Sequence, residues 1–379
     1  MEDERPIEDW GPPPAGEGGG GPSWQREILP ARAWTSSLLG WRQGRVQLGL
    51  DLGSHALKAV LVERSSKRTR LLSFALVELP MVAGEPQGAQ LQALAEAFES
   101  LHLRGVEIVT AVESSRAIMK QLTLPAMSPK EMEQAMPWEA RRYIPFDLED
   151  VALDYQVLRK EKDARDMEVF LVAIPRSQVE SHLEILRAGR IDPAWTGVSA
   201  LALMNAFLAG GGLRPEETVV LIDLGAETTT LNVYREGEEF FTRSIAIAGN
   251  AFSVAIQESL GIPSLAQAEA RKRKPEPGDD LWRLIASPFS ELVLELRRSL
   301  TFYDNRTGRR GLDRLLLTGG GARLQGIDQL LERELDLPVE VYHPLRGIEV
   351  VEAGLPCSSQ TLEELSPQLS LALGLTWCG

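Results

Sequence analysis

Two short stretches end an apolar run on an aspartate and follow it with leucine, glycine and a polar turn: LGLDLGSHALKAVLV at 48–62 and VLIDLGAETTTLNVY at 220–234. Gly53 with Ser54, and Gly225 with Thr228 and Thr229, keep bulky side chains away from the turn backbone, so its N–H groups form a concave nest for an anion. Asp51 and Asp223, each at a strand end, are placed to hold the water shell of Mg²⁺, which keeps several waters and bridges to phosphate oxygens. Lys58 adds a cation beside the first turn. A single Asp-x-Gly is ordinary turn chemistry. The same design met twice across a linker is an internal repeat, and two such hairpins facing each other would clasp a polyphosphate.

A third stretch, RLLLTGGGARLQGIDQLLEREL at 314–335, reads as a buried strand, the run Gly319-Gly320-Gly321, and an amphipathic helix. Bare backbone between strand and helix lets a flat base or ribose approach closely, and the helix start favours an anion nearby. There is no GxxxxGK[ST] phosphate loop and no triad pattern, which argues against a P-loop motor or a hydrolase of that kind. His55, His102, His182 and His343 lack metal-ligand spacing. No residue is nominated to position a water; Glu113, which follows a strand and could lie near the cleft, is better explained as a solvated strand end.

The elements that must carry these residues follow from periodicity. Val46–Glu63 reads as strand, turn, strand; Arg70–Leu79 as a third strand; LQALAEAFESLHL as a helix; and Val106–Val112 as a short buried strand. After Gly210-Gly211-Gly212 the strand-turn-strand design returns over Thr218–Ile247. The block at about 122–180 differs. Ser128, Pro129 and Glu131 start a helix with a capping box, and VALDYQVL and MEVFLVAIP are its strands. The expected architecture is α/β, with a first lobe over 46–213 holding this small α+β insertion, a second lobe over 214–365, and a helix in 366–379 returning to the first lobe. Within the insertion, Tyr143, Ile144, Pro145 and Phe146 follow a helix bearing Arg141 and Arg142, a combination suited to subdomain core or to framing a peptide groove.

The ordered set of two Asp-Leu-Gly loops and a triple-glycine loop resembles the actin-like (ribonuclease H-like) ATPase superfamily. EARRYIPFDLEDVALDYQVL at 139–158 and TTTLNVYREGEEFFTRSIAIAGN resemble the PilM family of type IV pilus assembly within it. The resemblance covers about residues 46–377. It implies ATP and Mg²⁺ as ligands, with phosphate loops at Asp51 to Lys58 and Asp223 to Thr230 and an adenosine loop at Gly319 to Ala322. It also implies Glu269 and Lys272, in AEARK, beside the ribose, and a groove near Tyr143–Phe146 that receives the cytoplasmic tail of an inner-membrane PilN-like protein. Further partners implied are other pilus platform and motor proteins, and a homo-oligomer is allowed. The sequence departs from the family at His55 and Ala56, where small hydroxyl residues are usual, at Glu227 in place of glycine, and at Arg271 in place of an apolar residue. These departures keep open a nucleotide-free scaffold like the secretion protein GspL. An FtsA-like filament protein would end in an amphipathic membrane helix, against LTWCG here, and a sugar kinase would need an Asp base that nothing identifies.

Composition bounds the partners. The 379 residues carry a net charge of −14, unsuited to extended binding of nucleic acid or anionic lipid, which needs clustered Lys and Arg. Two cysteines, no secretory signal and no apolar run of about 18 residues point to a reducing cytosol, with any membrane association made through a partner or a surface helix, and the family resemblance implies the cytoplasmic face of the inner membrane. Residues 1–45, with GPPPAGEGGGGP and half of the eight tryptophans (Trp10, Trp24, Trp34 and Trp41), read as a disordered leader with short aromatic recognition segments.

Overall fold

The computed structural model describes residues 45–378 except 66–67, 81–85, 102, 104, 160–164, 212, 237–239, 276–279 and 309–310; the Trp-rich leader lies outside the described residues. The chain opens with strands β1 (Arg45–Leu52), β2 (Ala56–Arg64) and β3 (Thr69–Glu78), helix α1 (Pro86–Leu101) and strand β4 (Glu107–Val112). Next come β5 (Ile118–Pro125), α2 (Pro129–Ala140), β6 (Val151–Arg159), β7 (Asp166–Pro175), α3 (Arg176–Ala188), β8 (Trp195–Val198) and α4 (Ser199–Ala209). The second half runs β9 (Thr218–Leu224), β10 (Thr229–Arg235), β11 (Phe241–Ile245), α5 (Gly249–Leu260), α6 (Leu265–Arg273), α7 (Leu281–Leu284) and α8 (Ala286–Thr307). It closes with β12 (Arg314–Thr318), α9 (Ile327–Leu335), β13 (Val339–Val341), β14 (Glu349–Val350), α10 (Ser359–Leu365) and α11 (Ser370–Leu375).

Two sheets share one topology. The first has the order β14-β3-β2-β1-β4-β8 and the second β11-β10-β9-β12-β13. In each, an antiparallel three-strand meander joins two parallel strands, so β1 corresponds to β9 and β2 to β10. The repeat read in the sequence is therefore a repeat of sheets, and it sets the two Asp-Leu-Gly turns at equivalent strand ends. The short strand β14 pairs with β3 at Val350 and Leu71, so the chain rejoins the first sheet well before residue 366.

Segment 118–175 folds as its own three-stranded sheet, β5-β7-β6, covered by α2. Its core is Met132, Met136, Ala140 and Ile144 against the inner faces of Val169 and Leu171. Ser128 caps α2 as its capping box predicts: its hydroxyl accepts from the Glu131 N–H, and the Glu131 carboxylate accepts from the Ser128 N–H at 2.7 Å. The region SPQLSLALGL is a 3₁₀ turn followed by α11, which packs between β1 and the wholly buried face of α4. Among the described residues, no helix is long and apolar enough to cross a membrane.

Candidate functional site

The hairpin β1–β2 pairs Asp51 with Lys58, and β9–β10 pairs Asp223 with Thr230. Residues directly opposite in an antiparallel pair project to the same face. Lys58 Nζ accordingly lies 2.9 Å from an Asp51 carboxylate oxygen, with both side chains largely buried. Asp223 makes no ion pair among the described residues. Burial pushes its carboxyl up to about 6; Lys58 offsets part of that rise and Asp51 adds to it. A half-buried carboxylate lacking a bound cation partner, next to a second carboxylate, is a donor set suited to a divalent ion.

The two turns and the glycine run line one cleft of about 1070 Å³ between the sheets. Asp51, Gly53, Ser54, Lys58, Asp223, Gly225, Thr228, Glu269, Lys272, Gly319, Gly320 and Gly321 all border it. Thr229 does not: it is fully buried, and its hydroxyl donates to the Ile247 carbonyl at 2.6 Å, whereas Thr230 shares the face of Asp223 and lines the cleft. Gly319 has φ of +86°, and a Cβ there would overlap Asp223 Oδ1 and stand 2.7 Å from the Leu224 carbonyl oxygen. The middle residue, Gly320, meets only Gln368 Oε1, at 4.0 Å, so its bare backbone faces open space. That combination of tight outer and open central glycines fits a flat ligand laid on the loop.

The start of α5 is bonded to the second turn: Gly249 and Asn250 donate their N–H groups to the carbonyls of Gly225 and Ala226, at 3.0 and 2.7 Å. From α6, Lys272 Nζ reaches Glu269 at 2.6 Å and donates to Gly249 O and Ser253 Oγ at 2.8 and 2.9 Å. Burial opposes the charge on Glu269, yet Lys272 and the Ser253 hydroxyl outweigh it and hold the carboxyl below its ordinary value. The pair is thus a rigid, ionised corner of the cleft. Glu113 also borders the cleft, but its carboxylate accepts from the Ser115 N–H and hydroxyl, while its carbonyl accepts from Gln178. Glu227 is exposed at the cleft rim. Tyr143, Pro145 and Phe146 lie apart from the cleft, exposed on the insertion, and Ile144 is buried in that subdomain's core. Arg273 and Arg323 border the cleft, and the buried Ser253 braces Glu269 and Lys272 from behind, without having been read from the sequence. Nothing in their type or spacing marked them.

Behind Asp51, His182 of α3 faces Thr110 of β4 at 2.9 Å. The Thr110 hydroxyl donates to Leu50 O, so the donor in the contact with Thr110 is His182 Nε2. Burial holds its pKa down at about 4, against a smaller upward pull from Asp51. The unfolded chain therefore binds a proton that the folded one refuses between pH 6.5 and about 4, and stability falls as pH drops through that window. His182→Gln is expected to retain roughly 2 kcal/mol more of its neutral-pH stability than the parent when urea unfolding is repeated at about pH 4.5.

Two related sheets closing on a cleft lined by paired Asp-Leu-Gly hairpins and a glycine loop define an actin-like ATPase fold. The ethanolamine utilization protein EutJ from Carboxydothermus hydrogenoformans shares it, with 15% identity and a TM-score of 0.50 over 91% of this chain and 96% of that one. A family model described as type IV pilus assembly protein PilM matches residues 49–377, and the chain belongs to that family. A solved PilM-PilN type IV pilus biogenesis complex is similar at 30% identity and TM-score 0.76, covering 87% of this chain and 97% of that one.

Proposed function

We propose that this chain is an ATP-binding adaptor of type IV pilus assembly, working at the cytoplasmic face of the inner membrane and held there by the tail of a PilN-like protein. The observation that carries the nucleotide reading is the equivalence of the two hairpins: matching strand ends of two sheets of one topology bring Asp51 and Asp223 to a single cleft. Gly53, Ser54, Gly225 and Thr228 would cradle phosphates, Asp51 and Asp223 would hold Mg²⁺ through its waters, and Gly319–Gly321 with Glu269 and Lys272 would receive the nucleoside. Lys58, held by Asp51, supplies positive charge where phosphate would lie. Bound Mg²⁺ would neutralise phosphate charge. The protein's own contribution is to orient and enclose.

The partner reading rests on kinship with the PilM-PilN complex and on the surface of the insertion. Tyr143 and Phe146 are 42% and 46% exposed, and Trp138 of α2, over whose ring Arg141 sits at 4.8 Å, is exposed too. Aromatic and arginine side chains of this kind anchor peptide interfaces. Tyr143→Ala and Phe146→Ala should each weaken binding of a synthetic PilN-like tail about tenfold or more while leaving thermal unfolding unchanged. Ile144→Ala, in the core, should instead cost about 2–4 kcal/mol of stability. Links onward to pilus platform and motor proteins belong to the same reading.

Calorimetric titration with Mg-ATP, with and without the tail peptide, tests both halves. Binding of each ligand, with equal mutual effects as linkage requires, supports a nucleotide-gated adaptor. Peptide binding without any response to Mg-ATP would replace it by a nucleotide-free scaffold.

A further inference from the structure

His55, which departs from the small hydroxyl usual for the family, does not lie idle in the first turn. Its carbonyl accepts from the Leu79 N–H at 2.8 Å, tying the turn to the end of β3. Its ring reaches across the cleft mouth to Arg273 at the end of α6, with Nε2 2.6 Å from a guanidinium nitrogen. Arg273 has all three of its guanidinium nitrogens engaged: one with His55, one with Glu78 at the end of β3, and Nε with Glu269 on its own helix at 3.1 Å. Two of those partners stand on the first sheet and the donor on a helix of the second half. The contact joins the two lobes by side chains alone.

Packing around the contact does little to reinforce it. His55, Glu269 and Arg273 border both the main cleft and a second cavity of about 500 Å³, so they form the partition between the two. On the far side, α1 and α6 face the cavity with small residues, Ala89 and Ala93 against Ala266 and Ala270, and the longer side chains there, Gln92 and Glu96 of α1, are polar. The lobes can therefore part here by losing polar contacts rather than by unpacking a core.

We propose that Arg273, Glu78 and His55 form a cross-lobe latch that closes the cleft mouth and that protonation of His55 opens. An arginine is always the donor, so His55 must accept through an unprotonated Nε2 and carry its proton on Nδ1. A second proton removes the acceptor and sets two cations face to face. The charged groups around the ring are Glu78 from β3 and Glu269, Lys272 and Arg273 from α6, with Glu96 of α1 on the cavity they share and Arg323 adding positive charge near Arg273. Burial is the largest influence on the ring and lowers its pKa; the two carboxylates oppose that shift without reversing it, which keeps His55 an acceptor at neutral pH. Arg273 and Glu78 are substantially exposed, so their ion pair alone is weak, and the latch owes its strength to three partners meeting one guanidinium. The device does not depend on what occupies the cleft.

Spin labels on Ala95→Cys in α1 and Gln267→Cys in α6, in a Cys357→Ser background of the full chain without nucleotide, would read the gap between the lobes. One short distance is expected at about pH 8, and Arg273→Ala should raise the long-distance population about fivefold, equivalent to about 1 kcal/mol. The parent should move toward the Arg273→Ala distribution as pH falls below the ordinary histidine range, whereas His55→Gln, which keeps an acceptor that does not titrate, should hold the pH 8 distance. Distances in Arg273→Ala that match the parent would overturn the latch. Identical pH responses of the parent and His55→Gln would overturn its control by His55. Neither outcome bears on nucleotide binding, which calorimetry tests separately.

Discussion

Gly374→Ala is expected to lower stability by about 3 kcal/mol or more, a large effect for one methyl group. Helix α11 is wedged between β1 and α4, and on both sides contact is backbone to backbone. A Cβ on Gly374 would overlap the Ala202 carbonyl oxygen, stand 2.7 Å from its carbon and lie 3.1 Å from Ala206 N. On the opposite side, a Cβ on Gly49 would overlap the carbonyl oxygen of Ala372 in α11. Helix backbone cannot rotate aside as a side-chain tip can, so the helix as a whole must shift. Residues 200–207 of α4 are all buried, which leaves α4 no room to follow. Displacing α11 also disturbs the site, because β1 carries Asp51 and Ser199 at the head of α4 fixes Ser114 N–H at 3.0 Å. Thermal unfolding should show an apparent midpoint lower by about 5 °C or more. Gly88→Ala is the matching control. Gly88 sits within α1 with nothing inside 4 Å of a new Cβ, and the same change there should stabilise by about 0.5–1 kcal/mol.

What the sequence made legible was the part written in local chemistry. Asp51-Leu52-Gly53 and Asp223-Leu224-Gly225 mark the hairpins because a turn glycine after a buried strand is a strong local signal, and its recurrence exposed the repeat. The capping box at Ser128 was legible for the same reason. Strand β5 escaped because Lys120 and Gln121 interrupt its apolar run, and β14 because a pair of residues at a sheet edge carries no periodicity. Thr229 and Thr230 differ only in register. Thr230 lies opposite Asp223 and faces the cleft, a distinction fixed by strand pairing and not by residue type. The latch was invisible in principle, since His55, Glu78 and Arg273 meet only through the closing of two lobes.

Asp223→Asn should separate the two demands made on the cleft, function and stability. Asparagine keeps the shape and volume of the side chain but removes the charge that Mg²⁺ would need, so Mg-dependent ATP affinity is expected to fall at least about a hundredfold, or about 2.7 kcal/mol. Stability without ligand should move the other way. With its folded-state pKa raised to about 6, Asp223 favours folding when protonated, and that contribution is lost as pH rises from 3.8 through 6. At about pH 8 the parent carries the full penalty of an ionised, half-buried carboxylate, and Asn removes it. Because the cleft is open to water, the expected gain is about 1 kcal/mol, less than the whole pKa displacement implies. Near pH 4 the parent is itself protonated at this position, and the two proteins should unfold together. A variant that is more stable at pH 8 and no longer binds Mg-ATP would identify Asp223 as a carboxylate kept for its ligand at the expense of the fold. Greater stability with unchanged affinity would instead assign the charge no role in binding and leave the paired hairpins as a scaffold.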